Sequence, residues 1–187
     1  METYIDIRFR REITDLLGYF NLSGDAVEIG NAEGRFAEIL IKSPNIIKFY
    51  MIDAWKQLNQ KGDGHMPNEW HQNNYREALE RTNAFSEKRI ILQGLSSERI
   101  KDIPDDSLIL AYIDADHSYN GCIRDLRAIW PKLKNGSILA GHDYLNENYG
   151  VRSAVLDFVK EVDFVDKEIH IIPEDHESNA SFWIRKL

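Results

Sequence analysis

The sequence predicts a doubly wound α/β sheet, and three observations lead there. Apolar runs of strand length alternate with segments whose apolar residues recur at helical spacing. Several of those runs end in acids, histidines or glycines, the residues that collect where the carboxyl ends of parallel strands form a site. The third is residues 107–144, where the run 108–113 ends in Asp114-Ala115-Asp116-His117 and the run 137–140 ends in Gly141-His142-Asp143-Tyr144. Between them Tyr119, Cys122, Ile123, Leu126, Ile129 and Trp130 mark one helical face, which Pro131 closes. Strand, helix, strand in that order is one parallel unit, and it sets two acid-bearing strand ends side by side.

Taken in order, residues 3–20 read as a helix within an N-terminal element, 1–22, because Ile5, Phe9, Ile13, Leu16, Leu17 and Phe20 share a face. Gly24-Asp25 punctuates, residues 26–29 form a short buried strand, and a helix follows over 35–42. Residues 48–52 are the second strand, ending at Asp53-Ala54-Trp55. The polar stretch 56–68 is a long loop, and the whole insertion 56–85 is expected to shape a substrate pocket. Pro67 and Glu69 start a helix carrying Trp70, Tyr75, Ala78 and Leu79. Residues 89–93 are the third strand, followed by Gly94-Leu95-Ser96 and a short helix over 98–102. Val151, Ala154, Val155, Phe158, Val159 and Val162 give one more helix. Residues 164–172 and 181–186 finish as two strands, too close in sequence for a helical crossover and so expected to pair antiparallel.

The chain has 187 residues, the size of one domain, and 43% of them are hydrophobic. Its formal net charge of −8 disfavours a nucleic-acid partner. No run is long enough to span a membrane, and the first residues lack a signal-peptide core, so a cytoplasmic location is expected. A single cysteine, Cys122, excludes an internal disulfide and sits on an apolar helix face, as a core residue would. A small-molecule substrate is the partner class left, and the oligomeric state stays open, a homodimer included.

The first strand-to-helix turn reads Glu28-x-Gly30-x-x-x-Gly34. Glycines allow a sharp turn and close approach of a ligand, and a helix amino end offers N–H groups to an anion. A dinucleotide fold would want glycines at 30, 32 and 35, where this chain has Gly30, Ala32 and Arg35. That disfavours an NAD-dependent oxidoreductase. Asp53, about 20 residues on, stands where an acid takes ribose hydroxyls. A glycine turn and a ribose acid without a pyrophosphate cradle suit a mononucleoside with an acidic tail, such as S-adenosylmethionine.

Four segments then carry a resemblance: Val27-Glu28-Ile29-Gly30-x-x-x-Gly34, Ile52-Asp53-Ala54-Trp55, residues 112–119 (YIDADHSY) and Gly141-His142-Asp143-Tyr144. This ordered set resembles the class I S-adenosylmethionine-dependent methyltransferases, in the branch related to the macrolide-sugar O-methyltransferases. The resemblance implies a Rossmann-like, three-layer, seven-stranded sheet whose last strand is antiparallel. It implies that Glu28, Gly30, Asn31 and Gly34 shape the cofactor turn and that Asp53, Ala54 and Trp55 border the ribose. Gly94, Leu95 and Ser96 would lie near the adenine, and Asp114 near the methionine end. An Asp-x-x-His motif of that branch, matched here by Asp114 and His117, would supply a metal ligand and a general base. The branch has Glu-Asp as further metal ligands, and the matching pair here is His142-Asp143. The implied metal set is therefore Asp114, His142 and Asp143, for a divalent ion such as magnesium or manganese, although an imidazole ligand suits a softer one.

Blander roles stand beside these. His117 could cap the following helix, His142 could orient Asp143, and Asp116 could face solvent or the helix amino end. Trp55, Trp70 and Tyr75 could line a pocket or only pack. His65 and His71, in the polar insertion, read as surface groups, and His170 and His176 have no ligand partner nearby in sequence. A module that binds S-adenosylmethionine without turnover is the main alternative to an enzyme.

Overall fold

The computed structural model describes residues 5–58, 62–173 and 180–187. Seven strands form one sheet: β1 (Gly24–Ile29), β2 (Ile46–Asp53), β3 (Arg89–Gln93), β4 (Leu108–Ile113), β5 (Leu133–Gly141), β6 (His170–Ile172) and β7 (Ser181–Arg185). Their order across the sheet is β3-β2-β1-β4-β5-β7-β6. The central pairings are parallel, and β7 lies between β5 and β6, antiparallel to both. The expected doubly wound α/β sheet, with its antiparallel final strand, is the observed one.

Among the described residues, six α-helices cover the sheet: α1 (Asp15–Tyr19), α2 (Arg35–Ile41), α3 (Asn68–Arg81), α4 (Ser96–Arg99), α5 (Tyr119–Ile129) and α6 (Val151–Phe158). Alternation along the strands splits the core in two. Val27, Ile29, Ile52, Ala111, Ile113 and Leu139 pack with α5 and α6 on one face. Ala26, Phe49, Met51, Leu110, Tyr112 and Ile138 pack with α1, α2 and α3 on the other. Cys122 is in the first of these layers, 3% exposed, and burial first, then the Asp125 charge, pushes its thiol up to about 12. It is a core residue.

Two elements differ from expectation. Between Ile5 and α1 the chain forms no regular element except a 3₁₀ turn at Arg10–Glu12, which Phe9 enters in an extended conformation. Ile7 is buried there and Ile5 is exposed, so the apolar residues upstream of Ile13 do not share a helical face. The Glu12 carboxylate accepts the N–H groups of Arg8 and Phe9 and ties the turn. The expected strand over 164–172 shortens to β6. Phe164 makes one isolated bridge to Lys186, and a 3₁₀ turn with Asp166 and Lys167 at positive φ separates that bridge from β6. The polar loop 174–179, with His176, lies outside the described residues.

The sheet's carboxyl edge is kept level by backbone bonds just beyond the strands. Gly30 N–H donates to Ile52 O, Gly94 N–H to Asp53 O, Asp114 N–H to Ile29 O, and His142 N–H to Ile113 O, at 2.8 to 3.0 Å. The ends of β1, β2, β3, β4 and β5 therefore open onto one row.

Gly30 has φ +90°, and a Cβ there would lie 2.0 Å from the Asp114 carbonyl oxygen. Gly30→Ala should destabilise the protein by roughly 2–4 kcal/mol, since both the backbone and its neighbour must yield. Gly18, in α1, has no atom within 4 Å of its virtual Cβ, so Gly18→Ala should be neutral or stabilise by up to about 1 kcal/mol. Urea unfolding of the two variants checks the contrast.

Candidate active site

A cleft of about 740 Å³ opens along this edge. Glu28, Gly30, Asn31, Asp53, Ala54, Trp55, Gly94, Leu95, Ser96, Asp114 and His117 border it, all named by the sequence. Gly34, His142 and Asp143 are not among its lining residues.

The turn after β1 is organised by Asp53. Its Oδ2 accepts the N–H groups of Asn31 and Ala32, each at 2.9 Å, and its Oδ1 accepts the Trp55 N–H at 2.8 Å. Burial pushes this carboxyl above the ordinary range, and the three donors oppose that push. Asp53 thus ties the β1 turn to the β2 turn. It keeps roughly one of its four lone-pair sites for a hydroxyl on a ligand. The Trp55 indole is fully buried, donates from Nε1 to Ala32 O at 2.8 Å and rests on Tyr75. With those contacts the indole serves as packing beneath the cleft.

The protein's own packing requires both glycines. Gly30 lets the turn pass the end of β4, as its virtual Cβ shows. Gly34, at φ +77°, lets α2 approach α3, because a Cβ would lie 2.7 Å from Ala78 Cα. The turn's N–H groups were expected to receive an anion. Those of Gly30, Asn31, Ala32 and Gly34 are instead committed to Ile52 O, Asp53 Oδ2 (twice) and Asn31 O.

At the other end of the cleft, His117 Nε2 lies 3.2 Å from Asp114 Oδ1 and 3.0 Å from Asp143 Oδ2. The Tyr149 ring stacks on the imidazole at 4.5 Å. His142 Nδ1 is 3.3 Å from Asp143 Oδ2 and 3.8 Å from Asp114 Oδ1. Arg10 Nη1 reaches Asp114 Oδ2 at 3.2 Å from the N-terminal segment. Burial alone would lower the His117 pKa, but the hydrogen bonds and charges of Asp114 and Asp143 outweigh it and push it up to about 10. The general-base role implied for His117 calls for a neutral imidazole, and these two carboxylates favour the protonated one. His117 stays protonated between its carboxylates. Burial would raise the Asp143 carboxyl, but His117 and His142 hold it well below the usual range. Glu28 is 2% exposed and raised well above the usual carboxylate range, by burial first and then by the Asp114 charge.

Other expectations resolve locally. The cap of α5 is Ser118, whose Oγ accepts the Gly121 N–H at 3.1 Å, so His117 is not the cap. Asp116 accepts the Ser118 N–H at 2.9 Å and sits over the start of that helix, in keeping with its blander role. Ser96 Oγ donates to Asp125 at 2.7 Å and ties α4 to α5. His71 is not a surface group. It is 7% exposed, lines the cleft beside Asn74, and its Nε2 has no hydrogen-bond partner. Arg10, His71, Asn74 and Tyr149 carry no signal in the sequence that would place them here. Arg10 stands 104 positions from Asp114, and no local pattern marks such a contact.

Among the described residues, Asp114, His117 and Asp143 form a group with one ligand atom each, all within 4.8 Å of one another. Its 3.0 and 3.2 Å separations match the roughly 3 Å edge of an octahedron with ~2.1 Å bonds. Two carboxylates and an imidazole fit a divalent cation. His117 thus joins the two acids of the implied set, whose third member, His142, has its Nδ1 3.3 Å from Asp143 and 3.8 Å from Asp114.

A family described as a methyltransferase domain matches residues 27–144, more than half of the chain. No curated protein matches the chain. Among solved structures, the O-methyltransferase NovP is 20% identical, with a TM-score of 0.66 over 94% of this chain and 77% of that one. The O-methyltransferase from Bacillus cereus in complex with SAH is 14% identical, with a TM-score of 0.64 over 94% and 80%. CalS11, a TDP-rhamnose 3'-O-methyltransferase, is 18% identical, with a TM-score of 0.61 over 95% and 81%. At these identities the likeness is one of fold.

Two measurable outcomes come from this geometry. Asp53→Ala orphans three N–H groups in two turns, so it should cost roughly 2–4 kcal/mol of stability as well as any ligand affinity. Chemical denaturation measures that loss. His117 has a folded pKa above its unfolded value of about 6.5, so its stabilising contribution is complete below that value. It should decline as pH rises and vanish above about 10. In chelator, the Tm gap between wild type and His117→Gln should close across that window.

Proposed function

This chain belongs to the methyltransferase-domain family, and from that premise we propose that it transfers a methyl group from S-adenosylmethionine to a hydroxyl oxygen of a small molecule. One observation carries the reading. A single cleft joins the Asp53 end, suited to a ribose, to the Asp114–His117–Asp143 group, suited to an acceptor hydroxyl. Its volume lies within the range of about 300–1,000 Å³ usual for small-molecule sites. The acid-rich edge also suits a donor that carries a sulfonium charge.

In the reaction an oxygen lone pair forms the new bond to the methyl carbon while the carbon–sulfur bond breaks and its electron pair returns to sulfur. Alignment of the two partners supplies much of the rate, and the acceptor's proton must leave. Asp114 borders the cleft and Asp143 does not, so Asp114 is the carboxylate placed to receive that proton. His117, protonated and stacked on Tyr149, holds both carboxylates in place. A divalent cation bound by Asp114, His117 and Asp143 would displace the imidazole proton and acidify a nearby hydroxyl.

The names of the three structural neighbours support oxygen as the acceptor, and the TDP-rhamnose named for one of them puts sugars first in any panel. The net charge of −8 supports a small acceptor over a nucleic acid or an anionic membrane. No helix among the described residues is long and apolar enough to cross a membrane.

Incubation with methyl-labelled S-adenosylmethionine and a panel of sugars, catechols and glycosylated metabolites tests the proposal. Label should appear on a hydroxyl, and Asp114→Asn should lower kcat by about 10²–10⁴-fold. Chelator should reduce the rate, with recovery on added magnesium or manganese. Donor binding without transfer to any acceptor would favour the non-catalytic module, and absence of donor binding would refute the proposal.

A further inference from the structure

The methyl donor ends in an amino acid, which brings a carboxylate and an ammonium into the cleft. The β1 turn was the expected seat for the carboxylate. Four of its N–H groups, those of Gly30, Asn31, Ala32 and Gly34, already have partners within the protein. The side chains at that end do not help an anion either, since Glu28 and Asp114 both border it. A carboxylate placed among them needs a cation.

The candidate cations of the lining are easily compared. Arg35 is paired with Glu33 and its side chain is 73% exposed. Arg124 is paired with Asp125 on α5. Lys56 follows β2, beyond the ribose acid. The His117 imidazolium is shared between Asp114 and Asp143. Arg10 stands against the other oxygen of Asp114, at 3.2 Å, with its guanidinium 4.8 Å over the Phe36 ring. It is also close enough to Glu28 and Tyr112 to favour their charged forms. Its side chain is only 32% exposed, and a guanidinium has five N–H donors in a fork that fits a carboxylate. Asp114 and the Tyr112 hydroxyl both accept from it.

We infer that Arg10, on the segment before α1, anchors the carboxylate of the donor's amino-acid end. The inference rests on the methyl-donor reading above and adds a binding residue to it. It also gives the N-terminal segment a function, because the extended Phe9 and the turn Arg10–Glu12 bring the guanidinium to the end of β4.

The test compares two nucleosides by calorimetry. S-adenosylhomocysteine carries the amino-acid end, and 5′-methylthioadenosine lacks it. Arg10→Gln should weaken S-adenosylhomocysteine by about 10–100-fold, the loss of one charge-assisted pair. It should leave 5′-methylthioadenosine within about twofold, a range that corresponds to under half a kcal/mol. Arg10→Lys should recover part of the loss, and thermal unfolding of each variant confirms that the fold is kept. An unchanged affinity for S-adenosylhomocysteine would overturn the inference and pass the anchor to the backbone at the start of α2. An equal loss for both nucleosides would overturn it as well, because Arg10 would then act on the shape of the cleft. Wild-type protein that bound neither nucleoside would refute the donor reading itself, a result distinct from either of these.

Discussion

Like charge crowded at one edge of the sheet is the constraint on which the rest of this structure depends. Glu28, Asp53, Asp114 and Asp143 come from or follow β1, β2, β4 and β5, and the level edge brings their carboxylates together. Buried or half-buried acids at such spacing are costly unless each finds a partner or keeps its proton. Every one is answered differently. Asp53 is surrounded by three backbone donors. Asp143 is held by two imidazoles and Asp114 by Arg10 and His117. Glu28 accepts from the Asn31 amide and has a raised pKa. Three of these answers tie separate parts of the chain together: two turns through Asp53, two strand ends through His117, and the N-terminal segment to β4 through Arg10.

The parts of the fold that were legible in the sequence are those where one local signal suffices. The bounds of β3 and β4 coincide with apolar runs cut off by polar or glycine residues. The antiparallel end of the sheet followed from chain length alone, since so few residues cannot cross over. The N-terminal segment differs because its periodicity is accidental. Ile5, Phe9 and Ile13 have helical spacing, yet Ile7 is the residue that the core receives. A pattern of apolar residues says which period fits, and only packing says which of them is buried.

The site was legible to the extent that strand ends can be read. Asp53, Asp114 and His117 stand where the spacing placed them. Their environments were not readable, because a pKa depends on neighbours distant in sequence. His117, implied as a general base, is shifted far up by Asp143, 26 positions later, together with Asp114. His71 reads as a surface group because its stretch is polar. The helix in fact turns that side chain into the cleft, and hydrophilic composition cannot show it. The glycines of the first turn stand where a turn needs them, and their close contacts with Asp114 and Ala78 were not readable from the spacing.

The protonated His117 and a divalent cation solve the same electrostatic problem. Asp114 and Asp143 need positive charge between them, and either occupant supplies it there. The imidazolium satisfies both carboxylates with one N–H, which makes the edge stable as it stands. Replacing it requires that proton to leave, so a cation must compete with a group whose pKa is about 10. Affinity for any such ion should therefore climb with pH through the neutral range, by up to tenfold per unit while one proton is displaced. Ion binding followed at several pH values, in wild type and in His117→Gln, separates the two occupants. The steep dependence belongs to the imidazolium and should disappear with it, while a dependence kept in the variant would assign the competing proton to another group.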